Sequence, residues 1–125
     1  MLKTILYIAF GGAIGSVLRL LTSLFVAKFW ANHFPLATFL TNVVGCFLIG
    51  LFIGFLEKNH LTDSNLKWFL ITGFCGGFTT FSSFALENYN LLQNNHQITA
   101  YIYMASSIIL TISAVGFGSY LSKYL

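Results

Sequence analysis

The chain of 125 residues is 57% hydrophobic and only 7% charged, against about 25% charged in an average soluble domain. Six basic and three acidic residues cannot coat a particle of this size, and a mean hydropathy of +0.81 excludes both an ordinary water-soluble surface and a disordered chain. The net charge of +3 comes from basic residues scattered along the sequence, with no cluster suited to nucleic acid. A helical span takes roughly 20 apolar residues, so the composition predicts an all-α membrane protein with four transmembrane helices in a single domain, residues 1–125.

The first apolar run extends from about Thr4 to Ala27 and is interrupted only by Arg19. Lys3 ahead of it resembles a signal-peptide start, but the run continues past the usual signal core and reads as a retained helix. Asn32-His33-Phe34-Pro35 makes a turn, with Pro35 suited to the first turn of the next helix. The second span, about 35–56, carries no charge, and residues 57–65 form a polar loop.

The third span, about 66–87, holds Gly73, Gly76, Gly77, Thr79, Thr80, Ser82 and Ser83 near its middle. This predicts a local break, the glycines supplying the freedom for an unwound turn. Inside a bilayer a break is tolerated only where it is buried in protein or lines a polar cavity. Glu87 closes the span, residues 88–97 read as a loop, and a fourth span runs over about 98–121. Both termini then share one side with Lys3, Lys58, Lys67 and Lys123, against Lys28 and the intraspan Arg19 on the other. The positive-inside rule places that side in the cytoplasm, although such short loops leave insertion in both orientations open.

Ionisable groups within spans are functional candidates. Arg19 is either an arginine snorkelling to the interface or an attractor of anions. Glu87 is either a helix-end carboxylate reaching water or a partner for a cation or proton. Along the second span Thr38, Asn42, Cys46, Gly50 and Gly54 recur every four residues and share one stripe. Close packing explains Cys46 and the two glycines, whereas the Asn42 amide needs partners in hydrocarbon and is a candidate donor. Gly11 and Gly15 in the first span read as packing residues. Tyr103, Ser107 and Thr111 line up as a polar track on the fourth, unless they serve only carbonyls of their own helix. An unwound turn in the third span frees carbonyl oxygens suited to a hard cation such as Na+. Beyond it Phe81 and Phe84 share a face, and aromatic ring edges carry positive charge. Cys46 and Cys75 sit in apolar runs and read as unpaired small residues. His33, His60 and His96 fall one per loop and read as separate, solvated side chains, and no metalloenzyme or nucleophile constellation occurs.

The stretch Gly11-Gly12-Ala13-Ile14-Gly15-Ser16-Val17-Leu18-Arg19, the segment Thr38 to Gly45 around Asn42, and Gly73-Phe74-Cys75-Gly76-Gly77-Phe78-Thr79-Thr80-Phe81-Ser82-Ser83-Phe84 together resemble the bacterial fluoride channel family, Fluc or CrcB. The resemblance covers the whole chain in length, span number and motif order, and the third-span motif is its most specific part. It implies a multi-pass protein of the bacterial inner membrane, not an enzyme. The expected assembly is an antiparallel homodimer with two pores for passive export of fluoride from the cytoplasm, which relieves fluoride toxicity. It also implies a structural, untransported Na+ at the dimer centre, held by the backbone carbonyls of Gly76 and Thr79. By position, Phe81 and Phe84 would be pore-facing rings, Asn42 the amide donor beside them and Arg19 the vestibule arginine. Ser82, Ser83, Glu87, Tyr103, Ser107 and Thr111 would form the polar track. The chain departs from the family where Ser83 stands for a common threonine and where Ala85 lacks a common hydroxyl. Its lysine asymmetry is also more one-sided than dual topology suggests.

Two other readings compete. A small multidrug-type, proton-coupled transporter has similar length and span number but relies on a carboxylate in its first span, where this chain carries Arg19. A non-conducting structural subunit explains the glycine stripes but not Asn42 or the serine-threonine cluster.

Overall fold

The computed structural model describes all of residues 1–125, and every regular element is helical. Helix α1 (Leu2–Ala27) is followed by α2 (Leu36–Lys58), and both are unbroken. The third span is divided into α3 (residues 65–78) and α4 (Phe81–Gln93), with Thr79 and Thr80 extended between them. Helix α5 (Gln97–Ser122) ends the chain. The four stretches Leu2–Ala27, Leu36–Lys58, Asn65–Gln93 and Gln97–Ser122 are each long and apolar enough to cross a membrane. Only 19 of the 125 residues are buried, so most of the apolar surface is left for lipid or for a partner chain.

The helices pack as two pairs, α1 against α3 and α2 against α5, and α4 leans on α5. Small residues set both pairings. A Cβ on Gly11 or Gly15 would overlap the backbone of α3, and one on Gly77 would come within 2.6 Å of the Gly12 carbonyl. On the other pair, Gly50 faces the backbone of Val115 and Ser119, Gly54 faces Ser122, and Gly118 faces Phe47. Backbones approach this closely only where a side chain is missing.

Two details differ from the sequence reading. The glycines of the third span are not where it unwinds. Gly76 and Gly77 are helical, no glycine has positive φ, and the extended residues are Thr79 (ψ 158°) and Thr80 (φ −152°, ψ 121°). Gly73 and Gly77 serve contact with α1 instead. Ahead of them Trp68–Cys75 is wound with the wider turn of a π-helix, a form that recurs at functional sites.

The span also continues past Glu87 to Gln93, so Glu87 lies inside α4 rather than at its end. Helix α4 stops only where Asn95 takes up φ 62° and the His96 N–H donates back to the Leu91 carbonyl at 2.8 Å. That left-handed C-terminal turn suits asparagine, and residues 94–96 make a connection shorter than the polar composition of 88–97 suggested.

Candidate functional site

The break is held open by Asn42. Its Oδ1 accepts the Thr80 N–H at 2.7 Å, and its Nδ2 donates to the Thr80 carbonyl at 3.0 Å. In a continuous α-helix the Thr80 N–H would close on the carbonyl of Gly76, and here it is diverted to a side chain. The Ser83 N–H, which would close on Thr79, is taken by Thr80 Oγ1 at 3.2 Å as an N-terminal cap on α4. The carbonyls of Gly76 and Thr79 therefore both lose their helical donors. Hard oxygens of this kind suit a hard cation. A Cβ on Gly45 would run into the Thr79 side chain, which shows how closely α2 presses on the break.

Beside the break lies a cavity of about 230 Å3 lined by Asn42, Phe81, Phe84, Ser107 and Thr111, together with Cys46 and the two extended threonines. Five of the pore candidates and Thr79, a candidate cation ligand, thus meet in one place. The amide of Asn42 has two N–H groups, so one is left for the cavity after the bond to Thr80. Phe81 is 79% exposed and leans on Phe84 with ring centroids 5.6 Å apart. Ser107 is only 6% exposed, yet its hydroxyl has no hydrogen-bond partner. Thr111 differs, because its hydroxyl donates to the Ser107 carbonyl at 2.6 Å within its own helix.

Glu87 and Tyr103 stand further along, joined to the cavity through Phe84, whose ring meets the edge of Tyr103 at 5.1 Å. Thr38 donates to one carboxylate oxygen of Glu87 at 2.6 Å and Tyr103 to the other at 2.8 Å. The Tyr103 hydrogen is therefore committed to Glu87. Ser82 and Ser83 gather on Thr80 Oγ1, each at 3.2 Å, and do not line the cavity wall. Arg19 is half-buried on α1, away from the cavity, and its guanidinium has no hydrogen-bond or ion-pair partner in the chain.

His33 and His96 depart from the sequence reading, since their rings stack at 3.9 Å. The two loops that carry them meet only in the folded chain, and nothing in their spacing signals the contact. Cys46 and Cys75 are both free, the latter fully buried.

A broken membrane helix clamped by an amide, with phenyl rings and an unpaired hydroxyl beside the break, defines a multi-pass membrane protein with a mostly apolar cavity that carries a few polar groups. Residues 6–119 match the family described as CrcB-like protein, Camphor Resistance (CrcB). The chain is 52% identical over 124 residues to the fluoride-specific ion channel FluC of Flavobacterium psychrophilum, covering 99% of this chain and 100% of that one. It is 47% identical over 124 residues to the FluC of Azobacteroides pseudotrichonymphae, with 99% of each chain covered, and 46% identical over 123 residues to that of Campylobacter fetus, with 98% and 95% covered. The chain belongs to the CrcB family.

Proposed function

We propose that the chain is a fluoride channel of the bacterial inner membrane, which exports fluoride passively and so relieves fluoride toxicity. The observation that carries the reading is the cavity at the break, where Asn42, Phe81, Phe84 and the unpartnered Ser107 converge. The relatives named as fluoride channels support it over their full length. Fluoride is small and tightly hydrated, so a pore has to replace its water with donors. The spare Asn42 N–H, the Ser107 hydroxyl and the positive ring edges of Phe81 and Phe84 supply them. None is a fixed charge, which suits a pore that has to bind the ion strongly enough to admit it and weakly enough to release it.

The conducting unit in this reading is an antiparallel homodimer with two pores. An exposed Phe81 ring beside an open cavity is what a pore wall looks like before a second copy covers it. The carbonyls of Gly76 and Thr79 fit the expected Na+ by donor chemistry, since both have lost their helical partners to Asn42 and Thr80 side chains. Such an ion would supply positive potential in a low-dielectric interior. Glu87, Tyr103, Ser82 and Ser83 extend the polar line on either side.

Liposomes carrying Phe81→Ile or Asn42→Asp should lose fluoride throughput. Wild-type flux from either variant would remove the pore assignment. A requirement for a proton gradient would favour the proton-coupled transporter instead.

A further inference from the structure

Cys46 brings a thiol to the wall of the cavity, where conduction of an anion asks nothing of it. The cavity of about 230 Å3 lies among three helices, with Asn42 and Cys46 on α2, Phe81 and Phe84 on α4, and Ser107 on α5. Asn42 and Cys46 are about one helical turn apart, so the thiol follows the amide along the same stripe. It is a free thiol, only partly buried.

A second observation marks the same space as built for a guest. Ser107 is 6% exposed, lines the cavity, and has a hydroxyl without a partner in the chain. A buried polar atom is left in that state only where something else is there to satisfy it. No fixed charge lines the cavity, so a small neutral molecule enters without facing a charge of either sign. One water takes about 10–15 Å3 of such space, which leaves room for a group of a few atoms. The guest then meets a soft sulfur as well as hard oxygen and nitrogen donors.

Thiol sulfur selects soft metals, and binding releases its proton. With methylmercury chloride the Sγ–Hg bond forms and the Hg–Cl bond breaks. The thiol proton goes to the buffer, chloride leaves, and nothing is oxidised or reduced. We propose that Cys46 is a soft-metal site inside the pore, open to small neutral organomercury compounds, and that a metal seated there closes the fluoride path. The proposal rests on the reading of the cavity as a fluoride pore. The adduct takes up the space beside the phenyl rings and shields the Ser107 hydroxyl, so room and a donor are lost together. Cys75 is the contrast within the chain, because it is fully buried in α3 and does not line the cavity.

Liposomes carrying the chain and treated with methylmercury chloride should release fluoride at least about tenfold more slowly, since the Ser107 donor alone is worth about that factor. Excess dithiothreitol should restore the rate. Each variant is compared with its own untreated rate: Cys46→Ser should be unaffected by the reagent, whereas Cys75→Ala should be slowed as the parent chain is. Block that persists in Cys46→Ser would overturn the proposal. A second readout does not depend on flux. Peptide mapping by mass spectrometry should find a methylmercury adduct on Cys46 in folded protein, and on Cys75 only after unfolding. Absence of label on Cys46, or undiminished efflux from fully labelled protein, would overturn the soft-metal site and leave the channel standing. Label on Cys46 in a chain that passes no fluoride even when untreated would keep the thiol site and remove the channel.

Discussion

The broken third span and the continuous fourth are both rich in hydroxyls, yet they use them differently. On α5, Ser106, Thr111 and Ser122 turn back onto carbonyls of their own helix, at 2.6, 2.6 and 2.7 Å. Such bonds satisfy the hydroxyl locally and leave little for a ligand. Around Thr80 the backbone is open, so its hydroxyl caps α4 and binds Ser82 and Ser83. Between these cases stands Ser107, a buried hydroxyl on an unbroken helix that faces the cavity with no partner. Residue type alone does not make a donor available; the course of the backbone decides it.

The largest loss is expected at the Asn42 clamp. Asn42→Asp removes the donor to the Thr80 carbonyl and sets a carboxylate beside the cavity. Fluoride efflux should fall by about a hundredfold or more, given the cost of an unpaired buried charge and a lost hydrogen bond. The packing that carries the broken span is tested next. A Cβ on Gly15 would overlap the Phe74 carbonyl and lie 2.8 Å from the Phe78 nitrogen, so Gly15→Ala should cost about 1–3 kcal/mol of stability. Gly116 has nothing within 4 Å, and Gly116→Ala should be neutral or stabilise by about 1 kcal/mol through helix propensity. Thermal unfolding in detergent, followed by loss of the monodisperse peak, reads both.

Within the hydroxyl series, Ser107→Ala should lower throughput about tenfold, the worth of one hydrogen bond to an ion. The smallest effect belongs to Thr111→Val, expected within about twofold of wild type because the Thr111 hydroxyl already serves the Ser107 carbonyl. Equal losses from the two variants would erase the distinction between free and committed hydroxyls.

Much of this was legible in the sequence, but not evenly. The four spans follow from apolar run length, and the four-residue recurrence from Thr38 to Gly54 correctly placed Asn42 and Cys46 on one face and the glycines at a helix contact. The break was expected near the right residues for a reason that does not hold. Glycines suggested flexibility, whereas two threonines are extended because Asn42 and Thr80 side chains capture the backbone donors. Periodicity shows which residues share a face, not which N–H a side chain will take. Glu87 was read as a helix end because polar residues follow it, yet asparagine and glutamine are compatible with helix, and only the left-handed turn at Asn95 ends α4. The pairing of His33 with His96 depends on how two loops meet, and no local pattern carries that information.

Efflux from liposomes containing the purified chain tests most directly whether the broken-helix cavity conducts fluoride. A fluoride electrode should record rapid release without any proton gradient, while a parallel chloride-loaded sample releases almost nothing. Retention of fluoride by a well-folded protein, or release of both halides at similar rates, would contradict it.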